Sequence, residues 1–571
     1  MEDFNMKTWH KIVTSAVLST AIAASGTFPV WGVQGAVAAA VESAGYSLNG
    51  SIQAEVKSAA VKTVEDGTQI ATVVRLTNTS AKKTRVPEYE LRAVTDGGVE
   101  YLLTPSASNA KAVQARETVE LVYLSTVDGG DFNIASLAFV EVDEYVYPKL
   151  ETELLRIPVT ATDAGRPGAD TPAAAWGTAF TIPSLSSKLT YTPQGWSQQL
   201  SEKGQTYLIT LLAENPTDKR ASLPEFRMDA LAGGKQYAGV RTEGAPEALE
   251  PGEKAYVHYA VNVDNGVEPE ELLILTSDAY GEGTAAVSFD VPRLKLSLPE
   301  TSGVDLAKLP EYKSGTPISF DPLNQIVGEN TQVSLVELHR HENPEQGFQT
   351  VVAKFKMLNR GTKPVVLPSF QADLTTAGGA SYTGSRQVTA AATLVPNVAS
   401  VVTYSFNVPK SETSETFGIK LSDMKAAAPY VSEIAMIKAP LQKEEEGGTT
   451  YKMYPYDVKL GFWTLNSQFS STTLQYSYKL TMDLDFTVTD DVMVDAGFSK
   501  LKFELADTEG RVVASETHGF TGENRLISGR QTLTFSNLQT EQLQYPLTIN
   551  VYESVETESG TANRLLFKLK Q

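Results

Sequence analysis

The feature that most constrains this chain is a short pattern that occurs three times. The copies are VPEYELRAVTDGGVEYL at 86–102, LPEFRMDALAGGKQYAG at 223–239 and LPSFQADLTTAGGASYTG at 367–384. In each copy an asparagine stands nine residues before the proline, at Asn78, Asn215 and Asn359. A pattern that recurs with the same internal spacing predicts one structural unit repeated along the chain.

The residues before each asparagine alternate between apolar and polar. In the third copy, Phe355 and its apolar alternate neighbours are expected to face a core, while Lys354 and Lys356 are expected to face water. Val74 and Leu211 hold the place of Phe355 in the other copies, four residues before the asparagine. Alternation of apolar and polar residues, with one face exposed to solvent, predicts an antiparallel strand.

The rest of the pattern is typical of strands joined by turns. The asparagine is expected to start a loop, because its side chain can bond nearby backbone groups. The proline is expected to open the next strand, where its missing N–H does least harm, and the Gly-Gly pair to form a turn. Tyr123, Tyr259 and Tyr404 are expected at equivalent places in a later strand. Strands and turns in this order predict an all-β chain of tandem antiparallel β-sandwich domains.

The repeated pattern resembles the telokin-like, immunoglobulin-fold extracellular domains of unknown function found in secreted Gram-positive bacterial proteins. The resemblance rests on the asparagine, the proline with its aromatic neighbour, the Gly-Gly pair with its tyrosine, and the turn LEPGEK at 249–254. It covers three stretches of the chain and implies immunoglobulin-like sandwiches. It implies no catalytic residues.

A chain of 571 residues is too long for a single core and is expected to form several domains. Linkers rich in proline, glycine or charge separate the repeat units. We expect immunoglobulin-like domains one to three at residues 46–160, 178–298 and 318–439. Residues 451–571 are rich in strand-like segments but lack the asparagine-to-proline signature, and are interpreted as a diverged fourth sandwich.

The N-terminus has the features of an export signal. An apolar core at residues 12–24 follows a lysine-bearing start, and small residues allow cleavage after Ala38 or Ala40. We therefore expect residues 1–38 to be a signal peptide and the protein to be secreted or held at the cell surface. No later segment is apolar for long enough to span a bilayer.

Composition and motifs exclude several function classes. The net charge of −20 argues against nucleic acid as a partner. The absence of cysteine excludes disulfides, thiolate nucleophiles and cysteine metal sites. The sequence contains no phosphate loop, dinucleotide motif, serine-hydrolase elbow or zinc-protease motif. The chain is therefore predicted to be no enzyme and to need no cofactor.

His339 and His341 are the best metal-ligand candidates, because an H-x-H on a strand places both rings on one face. No third ligand stands at a suitable spacing. The two histidines are interpreted as polar residues at a strand end, and no metal site is predicted.

A lysine stands four residues after each asparagine, at Lys82, Lys219 and Lys363. In an acidic chain, three basic loops at matching positions can form a docking stripe for a partner. They can equally serve only to solubilise the loops.

The start of the fourth domain is rich in aromatic residues. Tyr454, Tyr456, Phe462 and Trp463 would bind glycans if their rings lay flat on the surface, and would otherwise belong to core or edge packing. The spacing of Leu460, Phe462 and Leu465 favours packing for Trp463.

These observations predict an exported, non-enzymatic, multi-domain immunoglobulin-like scaffold or interaction protein of the bacterial cell envelope. The alternative is a glycan- or cell-wall-binding protein acting through the aromatic residues of domain four. The partner is accordingly an envelope protein or a cell-wall glycan, and the sequence leaves the oligomeric state open. A passive scaffold is expected to have mobile linkers and no deep polar pocket.

Overall fold

The computed structural model describes residues 45–571 apart from short gaps. The gaps are residues 65–66, 108, 129–131, 161–170, 184, 186, 202–203, 281–286, 300–305, 344–346, 389–391, 444–447, 473, 495–496, 523 and 536–542. The predicted signal peptide lies outside the described residues. In the described part the regular structure is almost entirely antiparallel strand, so the all-β prediction is confirmed. None of these residues forms a helix long and apolar enough to cross a membrane.

Domain one is a sandwich whose two layers are joined through a shared strand. Eight of its strands form one continuous sheet in the order β1-β2-β3-β8-β6-β5-β9-β10, because β6 pairs with both β5 and β8. The strands are β1 (Tyr46–Ser47), β2 (Ile52–Val64), β3 (Gly67–Asn78), β4 (Thr84–Arg85), β5 (Glu90–Thr95), β6 (Glu100–Pro105), β7 (Ala112–Val113), β8 (Thr118–Val127), β9 (Ile134–Asp143) and β10 (Leu150–Pro158).

Domain two has two separate sheets, β12-β13-β19-β17 and β11-β21-β20-β15-β16. Its strands are β11 (Ala173–Ala174), β12 (Thr190–Ser201), β13 (Gly204–Glu214), β14 (Ala221–Ser222), β15 (Arg227–Ala232), β16 (Lys235–Tyr237), β17 (Gly239–Arg241), β18 (Ala248–Leu249), β19 (Lys254–Val263), β20 (Glu271–Tyr280) and β21 (Val287–Ser297).

Domain three repeats this arrangement with the sheets β22-β23-β29-β27 and β26-β25-β30-β31. Its strands are β22 (Thr331–His341), β23 (Phe348–Asn359), β24 (Val365–Val366), β25 (Gln371–Thr375), β26 (Ser381–Thr383), β27 (Ser385–Arg386), β28 (Thr393–Leu394), β29 (Ala399–Pro409), β30 (Thr416–Ala427) and β31 (Tyr430–Pro440).

Domain four has the sheets β32-β33-β34-β38 and β37-β36-β39-β40. Its strands are β32 (Thr450–Met453), β33 (Tyr456–Ser470), β34 (Gln475–Val488), β35 (Val492–Met493), β36 (Lys500–Ala506), β37 (Val512–His518), β38 (Gly529–Phe535), β39 (Thr548–Thr557) and β40 (Gly560–Lys570).

Two parts recur in every domain. What we call the first sheet contains the neighbouring strands β2-β3-β8, β12-β13-β19, β22-β23-β29 and β33-β34-β38 in domains one to four. What we call the final hairpin is the last strand pair of each domain: β9-β10, β20-β21, β30-β31 and β39-β40. The main core clusters lie between the two layers of each sandwich.

The register of the first sheet confirms the repeat. Tyr123, Tyr259 and Tyr404 each lie opposite the residue six positions before the signature asparagine. All three tyrosines are buried, and so are the residues predicted to face the core, Val74, Leu211 and Phe355. The side chain of Phe355 packs edge-on against Phe370 and Tyr404, with ring centroids 5.6 Å apart in both cases.

The asparagine has a definite structural role. Asn215 is fully buried, and its side-chain amide donates to the carbonyl oxygens of Lys219 (2.8 Å) and Leu249 (2.9 Å). Asn78 and Asn359 make the same pair of bonds to the residue four positions on and to a short neighbouring strand. The asparagine therefore holds the loop against the sandwich, because its amide supplies the hydrogen-bond donors that these backbone carbonyl groups need.

Two details of the predicted pattern are wrong. The proline does not open a strand: β5, β15 and β25 each begin three residues after it, because a short loop crosses first between the sheets. Lys354 does not face water, since it is only 1% exposed, whereas Lys356 is half-buried. The alternation correctly places Lys354 on the outer face of its strand, but domain four covers that face.

Domain four has the same layout despite the missing signature. In domain three, Leu335 lies opposite Phe355 and is followed by a bulge on β22. In domain four, Leu460 lies opposite Leu484 and is likewise followed by a bulge, on β33. Counting four residues on from Leu484 places Val488 where the other domains have the asparagine.

Candidate functional site between domains three and four

A cluster of buried charged side chains lies where domain three meets domain four. Lys354 Nζ lies 2.7 Å from Glu337 Oε2 and 2.6 Å from Glu553 Oε1. Arg564 binds the other oxygen of Glu553 through Nε at 2.8 Å and Nη2 at 2.6 Å. All four side chains are at most 5% exposed. We call Glu337, Lys354, Glu553 and Arg564 the ionic cluster.

Strand register brings these four residues together. Glu337 on β22 is the direct cross-strand partner of Lys354 on β23, and Glu553 on β39 is the partner of Arg564 on β40. The bulge at Val336 shifts the alternation of β22 by one residue, so that Glu337 points to the outer face with Lys354. Two cross-strand ion pairs, one from each domain, thus face each other.

His339 and His341 follow Glu337 on the same face of β22 and are also buried. Arg564 Nη1 lies 3.2 Å from His339 Nε2. Burial, reinforced by the positive charge of Arg564, lowers the pKa of His339 well below its usual value. Burial also lowers the pKa of His341 to about 3. Both rings are therefore neutral at neutral pH.

Burial and ion pairing shift the pKa values of the charged groups in opposite directions. Burial alone would raise the pKa of Glu553, but Lys354 and Arg564 together hold it well below its usual range. Burial raises the pKa of Glu337, which has a single cation beside it. The two carboxylates hold the pKa of Lys354 above its usual value although burial opposes this. Glu553 is thus the carboxylate on which the charge balance of the cluster depends.

Further contacts join the two domains around the cluster. Tyr454 donates its backbone N–H to Glu337 Oε1 (2.6 Å) and its hydroxyl to Asp490 Oδ2 (2.6 Å). Lys356 forms an ion pair with the same oxygen of Asp490 at 2.7 Å. Strands β29 and β35, from the two domains, pair in parallel. Domains three and four are therefore in direct contact across this boundary, and the mobility of the linker stays a prediction.

A cavity of about 660 Å³ opens beside the cluster. Its walls include Glu337, His339, Lys356, Tyr454 and Asp490. Three charged groups among them, Glu337, Lys356 and Asp490, are each engaged in an ion pair or a short hydrogen bond across the domain boundary. These contacts hold the two domains together.

The two histidines lie where the sequence places them, at the end of β22, but their surroundings are interdomain. Among the described residues, no group of three or more histidine, aspartate or glutamate side chains is arranged to hold a metal ion. The neighbours of His339 and His341 are cations and ion-paired carboxylates, which suit a neutral imidazole better than a bound cation.

The three signature lysines lie on exposed loops, one in each of domains one to three. The structure explains their recurring position through the backbone: the carbonyl groups of Lys82, Lys219 and Lys363 accept the buried asparagine amide. Arg220 beside Lys219 pairs with Glu250 at 3.3 Å, which offsets part of the local positive charge. Whether these lysines bind a partner stays a prediction.

The aromatic residues of domain four are mostly packed. Tyr454, Tyr456 and Trp463 are all half-buried, and Tyr456 stacks on Phe520 with centroids 4.6 Å apart. Trp463 packs against the domain core. Phe462, at the bulge, is 59% exposed. Of the four aromatic residues considered for glycan binding, Phe462 is thus the exposed one.

Sequence reasoning missed the ionic cluster. Lys354 was the one available signal, since a lysine flanked by core residues on a predicted strand marks the outer face of a sheet. Its partner Glu553 lies 199 residues away, and no local pattern links the two.

No family model matches the chain, and no curated protein matches it. Among solved structures, the crystal structure of dimeric latent PorU from Porphyromonas gingivalis is similar over 66% of this chain and 32% of its own, with 9% identity and a TM-score of 0.13. This chain therefore spans about a third of the length of that protein, and a TM-score this low supports no argument.

Proposed function

We propose that this protein is an exported, non-enzymatic scaffold or interaction protein of the bacterial cell envelope, built from immunoglobulin-like domains of the telokin-like type. The observation that carries the proposal is that buried ionizable groups join domain three to domain four. Breaking such a buried contact costs several kcal/mol, so the contact favours a fixed arrangement of the two domains. A fixed arrangement suits a protein that presents surfaces at set distances.

The contact between domains two and three supports the same proposal. Gln199 on β12 donates its amide to the carbonyl of Val431 (2.8 Å) and accepts the backbone N–H of Val431 (3.1 Å). Tyr256 donates its hydroxyl to Asp321 Oδ2 at 2.6 Å. Domain two is thus tied to domain three by polar groups as well.

Two measurements test the proposal. Fractionation of cells that produce the protein should place it in the envelope or the medium, without residues 1–38. Spin labels on cysteines introduced at exposed sites of domains three and four should give one narrow distance distribution, since the chain has no cysteine of its own. A cytosolic location, or a broad distribution of interdomain distances, would contradict the proposal.

The glycan-binding alternative has one observation in its favour, the exposed ring of Phe462 next to Trp463. Its test is retention of the chain on insoluble cell-wall polysaccharide. Tyr545→Ala serves as a control, because Tyr545 is also exposed in domain four. Specific retention that is lost in Phe462→Ala or Trp463→Ala, and kept in the control, would replace the scaffold proposal.

A further inference from the structure

We propose that the final hairpin of domain one docks onto the first sheet of domain four in a second copy of this chain. The interface would be head-to-tail and would join copies in series. Neighbouring domains of one chain already contact each other in this way.

The final hairpin of domain three docks on the first sheet of domain two. Ala427, near the tip of the hairpin, is fully buried and clusters with Leu208 of β13 and Ala260 of β19. A Cβ added at Gly244 of domain two would come within 2.1 Å of the carbonyl oxygen of Ala426. The tip therefore sits in close contact with domain two.

The final hairpin of domain four docks on domain three in the same way. Glu553 and Arg564 of this hairpin form half of the ionic cluster. At its tip, Ser385 donates to Glu558 (3.1 Å) and Asn407 to Ser559 (2.6 Å).

The final hairpin of domain two also reaches the preceding domain. Arg293 on β21 is fully buried and donates from Nη1 to the carbonyl oxygen of Lys57 on β2 at 2.6 Å. In the described chain, the final hairpin of one domain thus contacts the first sheet of the preceding domain at all three domain boundaries.

Bulges mark both partners of this contact. The first strand of each first sheet has a bulge after the residue opposite the core position, at Lys57, Gln194, Val336 and Gly461–Phe462 in domains one to four. The second strand of each final hairpin has a bulge as well, at Leu154, Arg293, Ile434 and Leu566. Domains one and four therefore carry the same docking geometry as their neighbours.

The hairpin of domain one is left uncovered among the described residues. Tyr145 and Tyr147 at its tip are 101% and 99% exposed, and Leu150 is 58% exposed. Its tip is built like that of domain three: Asp143 Oδ1 accepts the backbone N–H of Tyr145 (3.0 Å), as Asp423 Oδ1 accepts that of Lys425 (2.6 Å). The tip of domain three is covered, whereas the tip of domain one presents two bare tyrosine rings.

The matching face is left uncovered on domain four. Phe462, at the bulge of its first sheet and next to the core-packed Trp463, is 59% exposed. The exposed hairpin tip of domain one and the exposed Phe462 at the equivalent bulge of domain four match as the two halves of a heterologous interface. We therefore choose a second copy as the occupant.

The size of the surfaces sets the expected strength. Each tyrosine can bury about 150–250 Å², whereas stable interfaces bury about 1,200–2,000 Å² in total. A hairpin tip supplies only part of that area, so we expect weak association, visible at high concentration. This inference does not depend on where the protein resides in the cell.

Sedimentation velocity over a range of concentrations tests the association. We expect the average mass to rise with concentration, and Tyr145→Ser/Tyr147→Ser and Phe462→Ser each to shift that rise to at least about tenfold higher concentration. Tyr545→Ser is the matched control, since Tyr545 is a 70% exposed tyrosine that also precedes a proline, and it should leave the rise unchanged. The full chain and a form that begins at Ala39 are run in parallel.

Cysteine cross-linking tests the partner surfaces directly, because the chain has no cysteine. Chains carrying Tyr147→Cys are mixed with chains carrying Phe462→Cys under mild oxidation. We expect more disulfide dimer in this mixture than in either chain alone or in a mixture of Tyr147→Cys with Tyr545→Cys.

Four results would overturn the proposal. In sedimentation, these are a chain that stays monomeric up to about 1 mM, association that the substitutions leave unchanged, and association by the full chain but not by the form that begins at Ala39. In cross-linking, it is a yield of disulfide dimer that is no higher for the Tyr147–Phe462 pair than for the control. Loss of association with Tyr145→Ser/Tyr147→Ser but not with Phe462→Ser would also count against it, because the hairpin would then dock elsewhere.

Discussion

Replacing Glu553 with alanine is the sharpest test of how domains three and four are held together. The substitution removes the carboxylate that Lys354 and Arg564 share and leaves two buried cations with Glu337 alone. The side chain of Lys354 is 1% exposed and that of Arg564 is 4% exposed, so water cannot replace the lost partner without opening the boundary. Removing one partner of a buried ion pair costs about 3–5 kcal/mol, which is a large part of the ~5–15 kcal/mol that stabilises a typical domain.

Glu556→Ala provides the matched control. Glu556 lies on the same strand as Glu553 and pairs with Lys500 at 2.6 Å, the distance at which Glu553 pairs with Lys354. The Glu556 side chain is 70% exposed, however. Exposed pairs contribute at most about 1 kcal/mol, so burial is the variable that differs between the two substitutions.

Native-state hydrogen exchange read by mass spectrometry suits the measurement, because peptides report each domain separately. For Glu553→Ala we expect the free energy of opening to fall by about 3–5 kcal/mol in peptides from β22, β23, β39 and β40, with domain one unchanged. Combining Glu553→Ala with Lys354→Met should cost less than the sum of the two, with coupling of about 0.5–3 kcal/mol. Equal effects of Glu553→Ala and Glu556→Ala, or strict additivity in the double variant, would refute the reasoning.

Three further predictions follow from the fold. Phe355→Ala should destabilise domain three by about 3–5 kcal/mol, because the ring is fully buried in the core; an unchanged melting curve would contradict the predicted packing. Asn359→Ala should cost roughly 2–3 kcal/mol in urea unfolding by leaving two carbonyl groups without a donor, whereas Lys363→Ala should stay within about 0.5 kcal/mol. The folded protein lowers the pKa of His339 and His341, so the unfolded chain binds more protons, and stability should decrease as pH falls below about 6.5. Gln at both histidine positions should flatten that decrease between about pH 6.5 and 4.5, where the usual carboxylate range begins.

The local features of the repeat could be predicted from sequence because short-range chemistry determines them. Alternation identified Val74, Leu211 and Phe355 as core residues, and the three tyrosines occupy one register. The asparagine loop was also predictable, since an amide that bonds to a carbonyl four residues on needs no distant partner.

What covers the outer face of each sheet could not be predicted in this way. Alternation assigned Lys354 correctly to the outer face, but a face is wet only if nothing packs on it. The chain that covers Lys354 includes Glu553, 199 residues further on, and no periodicity of β23 carries information about it. The bulge at Val336 could not be predicted either. One extra residue changes which side chains share a face of the strand, but no local sequence pattern marks its position.

Domain four shows that the fold does not require the asparagine-to-proline signature. Val488 replaces the asparagine, yet the register of β33 and β34 and both bulges match those of domain three. The asparagine serves one loop, whereas the bulges lie on the surfaces through which neighbouring domains meet. If all four domains share this way of docking, each should retain the bulges in the strands that make the contact. The asparagine loop lies outside the contact and is free to vary. The exposed hairpin of domain one and the exposed face of domain four follow that rule, because each keeps its bulge although no described residue packs on it.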